Sequence, residues 1–66
     1  MKADKKRIEL AMARACMNTA GLSAAAGISG STARSVISGK GARPRTLGRI
    51  ARALGVDPAE IIMEEE

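Results

Sequence analysis

The sequence predicts an all-α fold, a compact bundle of about five short helices. Three observations predict it. Apolar residues recur three and four positions apart along most of the chain. Each such stretch opens on a residue suited to capping a helix, and several close on glycine. No run alternates apolar and polar residues in the way that a half-buried strand requires. The helices are expected at about residues 4–17, 19–26, 30–38, 46–54 and 58–64, within a single domain spanning 1–66.

Met1 to Ala3 is expected to be frayed. Asp4 can cap the first helix, which carries Ile8, Ala11, Met12, Ala15 and Cys16 on one stripe. On that stripe Cys16 reads as a small core residue rather than a reactive thiol. Lys2, Lys5, Lys6 and Arg7 crowd the start of this helix, where positive charge opposes the helix dipole.

The next stretch is the most informative. Asn18 is an N-cap, and Leu22, Ala25 and Ala26 form an inward face. Gly27 stands where a helix ends in a left-handed residue, the conformation that glycine adopts without steric cost. Ile28 follows as a buried plug and Ser29 caps the next helix. That helix turns Ala33, Val36 and Ile37 inward and presents Gly30, Ser31, Arg34, Ser35 and Ser38 outward. Helix, glycine turn and capped helix in this order form the signature of a helix-turn-helix, a module that binds DNA.

Beyond it, Gly39 ends the helix, and Gly41 and Pro44 keep another from continuing. Lys40, Arg43 and Arg45 are then presented on a loop. That loop reads either as a solvated connector or, given its place after the motif, as a phosphate clamp. Thr46 can cap a fourth helix with Leu47, Ile50, Ala51 and Leu54 inward and Gly55 as its C-cap. Asp57, Pro58 and Glu60 form a capping box with proline at the first position, opening a last helix with Ile61 and Ile62.

Charge and composition exclude most other functions. All 11 Lys and Arg lie at or before Arg52, opposed there by Asp4 and Glu9 alone, a net +9. The five acids from Asp57 onward leave the whole chain at +4. A basic body with an acidic tail fits a phosphate-facing surface whose other end is kept away from DNA. No histidine is present, which leaves a zinc site or a Ser-His arrangement nothing to build on. The body holds no paired carboxylates and no P-loop, so no enzyme is expected, and neither a metal nor a cofactor is called for. The lone Cys16 cannot form an internal disulfide, and there is no secretory or membrane-spanning run. A reducing cytoplasm is the expected location. With 66 residues and no aromatic side chain, the core is expected to be thin and the stability modest.

The run from Met17 to Lys40, the GKGARPRTL segment and the IARALGVDPAEII segment together resemble the lambdoid phage repressor/Cro type of helix-turn-helix domain, the XRE-like regulators. The resemblance covers nearly the whole chain. It implies a lambda-repressor-like fold and a repressor-like transcriptional regulator whose recognition helix enters the major groove of double-stranded DNA. By position, Gly30, Ser31, Arg34 and Ser35 would face base edges, with Arg34 open to a guanine or a phosphate. Asn18, Thr19, Ser29, Thr32, Lys40, Arg43 and Arg45 would contact phosphates, and Arg45 would also lean into the minor groove. Family members often carry Gln where Thr19 stands, so its reach is shorter here. The family's buried Arg–Glu pair is matched by Met12 and Ile37, which are therefore expected to touch in the core.

The resemblance further implies a weak homodimer, strengthened on DNA, with Val56 and Pro58 at the contact. With no room for an effector domain, no small-molecule effector is expected. Gly30 leaves one base-reading position empty, and Ser31 and Ser35 discriminate little, so specificity is expected to be modest or to lean on DNA shape. The alternative function is an antitoxin or helical adaptor that takes a protein partner through its C-terminal helix.

Overall fold

In the computed structural model, which describes residues 1–63, the chain folds as four α-helices and one turn of 3-10 helix, with no strand among the described residues. The helices are α1 (Lys5–Arg14), α2 (Thr19–Ala26), α3 (Gly30–Ile37) and α4 (Pro44–Leu54), and the 3-10 turn is Pro58–Glu60. Helix α2 packs against α3 and α4, α1 leans on α3, and the 3-10 turn rests on α4. The all-α class is as expected. The fifth helix is shorter than expected, a single turn, and its expected end at residue 64 lies outside the described residues.

The core is apolar throughout. Ile8, Leu22, Val36, Leu47, Ile50 and Ile61 are fully buried, and each contributes about 1.5–3 kcal/mol relative to exposure. Five of the thirteen buried residues are alanines, which lets the helices approach closely where aromatics would hold them apart. Met12 is buried, and Ile37 packs against the same cluster from its edge, so no ion pair is needed between α1 and α3. Ile28 is half-buried against this cluster, and Ala25 is exposed rather than inward.

All four helices close in the same way. In each, the residue after the C-terminal turn is left-handed, and the next N–H donates to the carbonyl five residues back. Gly27, Gly39 and Gly55 hold this position in α2, α3 and α4. In α1 it is held by Cys16, at φ 54°, while the Met17 N–H donates to the Met12 carbonyl at 3.0 Å. This is why α1 stops at Arg14 instead of continuing to 17, and why Cys16 is exposed instead of joining the apolar stripe.

The N-terminus is not frayed. Ala3 is fully buried, and residues 1–3 run between two other segments. The Ala42 N–H donates to the Met1 carbonyl at 2.6 Å and the Met63 N–H to the Lys2 carbonyl at 2.9 Å. The Asp4 N–H donates to the Ile61 carbonyl at 2.7 Å. Isolated antiparallel bridges join Lys2 to Gly41 and Ala3 to Ile62. The backbone of the first three residues thus finds partners in tertiary contacts that no local pattern announces.

A left-handed conformation costs a residue with a Cβ roughly 1–2 kcal/mol. Cys16→Gly is therefore expected to stabilise the fold by about 1 kcal/mol, seen as a rise of several degrees in the thermal midpoint by circular dichroism. An unchanged or lower midpoint would show that the Cys16 backbone carries no such cost.

Candidate nucleic-acid interface

Helix α3 owes its orientation to the turn before it. Gly27 sits at φ 68° with no atom near the place of a Cβ, and the Ile28 N–H donates to the Ser23 carbonyl at 3.1 Å. The Ser23 hydroxyl closes the turn by donating to the Ile28 carbonyl at 2.9 Å. Ser29 then caps α3, its Oγ accepting from the Thr32 N–H at 3.2 Å and donating to Thr32 Oγ1 at 2.8 Å. Asn18 caps α2 through its Oδ1, which accepts from the Gly21 N–H at 2.8 Å. A Cβ on Gly21 would lie only 3.3 Å from that oxygen, so glycine makes room for the cap.

With Ala33 and Val36 buried, α3 presents Gly30, Ser31, Thr32 and Arg34 to solvent, with Ser35 half-buried beside them. The helix stands as a ridge between two open depressions. One holds Asn18 and Thr19 of α2 with Gly30 and Arg34 of α3. The other holds Ser31, Thr32 and Ser35 with Arg43 and Thr46 across from them. No Cβ at Gly30 would meet anything within 4 Å, so that position is empty space facing outward.

The start of α4 differs from the sequence reading. The helix begins at Pro44, two residues before Thr46, and its N-cap is Arg43, which makes no side-chain capping bond. Proline at the first helical position is locally favourable because its missing N–H would have had no partner there. Arg45 therefore lies in the first turn of α4 and not on a loop, with no acidic residue in that turn. Lys40 and Arg43 remain on the connection between α3 and α4, both exposed. Arginine in place of a cap and again within the first turn opposes the helix dipole and is a poor local choice for stability.

The candidates fall into distinct places. Asn18, Thr19, Gly30 and Arg34 come together on one flank of α3, and Ser31, Thr32, Ser35 and Arg43 on the other. Ser29 and Thr32 are engaged with each other in the cap. Lys40 lines neither flank. Val56 is half-buried in a separate depression beside Leu10 of α1, and Pro58 is exposed at the head of the 3-10 turn. Two residues escaped the sequence reading. Leu10 is 53% exposed, and Arg49 lines a depression together with Ile28, Arg43 and Arg45. The signal for Arg49 was its spacing, four residues after Arg45 on one helix.

Among the described residues there is no cluster of metal-ligating side chains, and no helix is long and apolar enough to cross a membrane. No curated protein and no solved structure matches the chain. A family of Cro/C1-type HTH DNA-binding domains matches residues 7–63, which takes in all of α2, α3, α4 and the 3-10 turn. The chain belongs to the Cro/C1-type helix-turn-helix DNA-binding domain family.

Proposed function

We propose that this protein is a sequence-selective regulator of transcription, repressor-like, that places α3 in the major groove of double-stranded DNA. The observation that carries the reading is the exposed ridge of α3, polar along its length and flanked on one side by Asn18 and Thr19 and on the other by Arg43. A helix standing proud between two polar shoulders has the shape to enter a groove while its shoulders meet the phosphates on either side.

In this docking Gly30, Ser31 and Ser35 face base edges. Asn18, Thr19, Ser29, Thr32, Lys40, Arg43 and Arg45 serve the backbone. Arg34 shares its flank with Asn18 and Thr19, which favours a phosphate over a guanine. Ser29 Oγ is engaged with Thr32, so Ser29 holds the first turn of α3 in place while the Thr32 hydroxyl keeps its own O–H to donate. With small side chains on the reading face, discrimination between bases is modest and the shape of the DNA contributes.

A weak homodimer forms through Val56 and Pro58, to which the exposed Leu10 beside Val56 adds apolar area. The adaptor alternative relied on a C-terminal helix. The described residues hold only one 3-10 turn there, with Ile61 buried beneath it, and so present no free helical face to a protein partner.

Fluorescence anisotropy with a labelled duplex tests the central claim. The expected result is binding that weakens with added salt, and a log–log slope smaller by about 2 in Arg43→Ala/Arg45→Ala. Absence of binding at low salt would overturn the reading. Gly30→Gln has room for its side chain and is expected to change sequence preference in a selection from random duplexes; an unchanged preference would show that residue 30 does not face bases. Sedimentation velocity is expected to show a monomer alone and two copies on a selected duplex, with Leu10→Glu restoring one copy per duplex. Two copies of Leu10→Glu on the same duplex would place the contact elsewhere.

A further inference from the structure

Helix α4 carries more positive charge than the loop before it. Arg45, Arg49 and Arg52 are spaced four and three residues apart and all are exposed. At about 100° per residue their side chains emerge within roughly 60° of each other, forming one ridge along the helix. That ridge lies opposite Leu47, Ile50, Ala51 and Leu54, which are buried. Arg43, Arg45 and Arg49 line one depression together with Ile28, at the turn that leads into α3. Arg43 also lines the depression next to Ser31 and Ser35, so the ridge is continuous with one flank of the recognition helix.

Among the described residues the ridge is of one sign. The carboxylates among the described residues are Asp4, Glu9, Asp57 and Glu60, and none of them pairs with Arg43, Arg45, Arg49 or Arg52. Asp57 and Glu60 are turned to the backbone of their own capping box. Like charges four apart on a helix destabilise it by a few tenths of a kcal/mol, and solubility alone is better served by interspersed signs. Gly48 lies within the same stretch, with no atom near the place of a Cβ, so the middle of α4 is also bare enough for close approach.

We infer that α4 is a second DNA-contacting element, in which Arg49 and Arg52 continue the phosphate contacts of Arg43 and Arg45 along the outside of the helix. This rests on the DNA-binding reading above and adds to it. From Arg45 to Arg52 the helix rises about 10 Å, the axial rise of roughly three nucleotides of one strand. The track lies beyond the reach of α3, so it lengthens the footprint and adds affinity on every sequence alike.

The test is the salt dependence of binding for Arg49→Ala and Arg52→Ala, single and combined, beside Arg14→Ala on α1 as a loss of equal charge. Alanine is a strong helix former and these positions are exposed, so the variants keep the fold, checked by circular dichroism. Each α4 variant is expected to lower the log–log slope by about 1, and the pair by about 2. For the pair, the affinity lost between about 50 and 200 mM salt then shrinks roughly tenfold. Arg14→Ala is expected to leave the slope unchanged, and Arg49→Lys/Arg52→Lys to retain it. Wild-type slopes in the α4 variants, with a reduced slope in Arg43→Ala/Arg45→Ala, would overturn this inference and leave the proposed function standing. An equal drop for Arg14→Ala would overturn it in favour of net charge alone. No salt-dependent binding by the wild type would remove the DNA reading itself.

Discussion

The left-handed backbone at Gly27 is the constraint on which the rest of the molecule depends. Its φ of 68° turns the chain in one residue from the end of α2 to the approach of α3. The Ser23 hydroxyl and the Ile28 N–H then lock the turn from both sides. Because α2 packs on both α3 and α4, the angle set at this glycine decides where the ridge of α3 stands relative to Arg43 and Arg49. A residue with a Cβ there would cost roughly 1–2 kcal/mol, a large share of the stability of so small a domain. The site is thus a property of the turn as much as of the residues that line it.

Most of the architecture was legible because it is local. Asn18, Ser29 and Asp57 cap as their side chains suggest, Gly27 and Gly55 close helices, and the buried faces of α3 and α4 follow helical spacing. What escaped was non-local or depended on a substitution at a familiar position. The pairing of Met1–Ala3 with Ala42 and Met63 joins segments some forty and sixty residues apart, and no periodicity within three residues reveals it. The end of α1 was hidden because Cys16 stands where glycine stands in the other three helices. At α4, a capping preference for Thr46 was overridden by Pro44, whose fixed φ already suits the first helical turn.

The same division holds for the candidate site. The location of α3 and of its basic neighbour could be read from Gly27–Ser29 and KGARPR. Which residues share a flank could not, because that depends on how α3 and α4 each pack on α2. Arg34 stands with Asn18 and Thr19, while Arg43 faces Ser31 and Ser35. Arg49 became visible as part of the site only once Ile28 and Arg43 were placed beside it.

The five buried alanines and the open space at Gly30 divide the molecule into parts with very different freedom to change. Enlarging an alanine such as Ala33 or Ala51, both fully buried, would overpack the core and push its neighbours apart. Any residue compatible with a first helical turn fits at position 30 without disturbing a neighbour. In evolutionary terms the scaffold is frozen while the outer face of α3 is free. In the proposed docking, new base preferences then lie a single substitution away, and they can be reached without first gaining stability to offset the change.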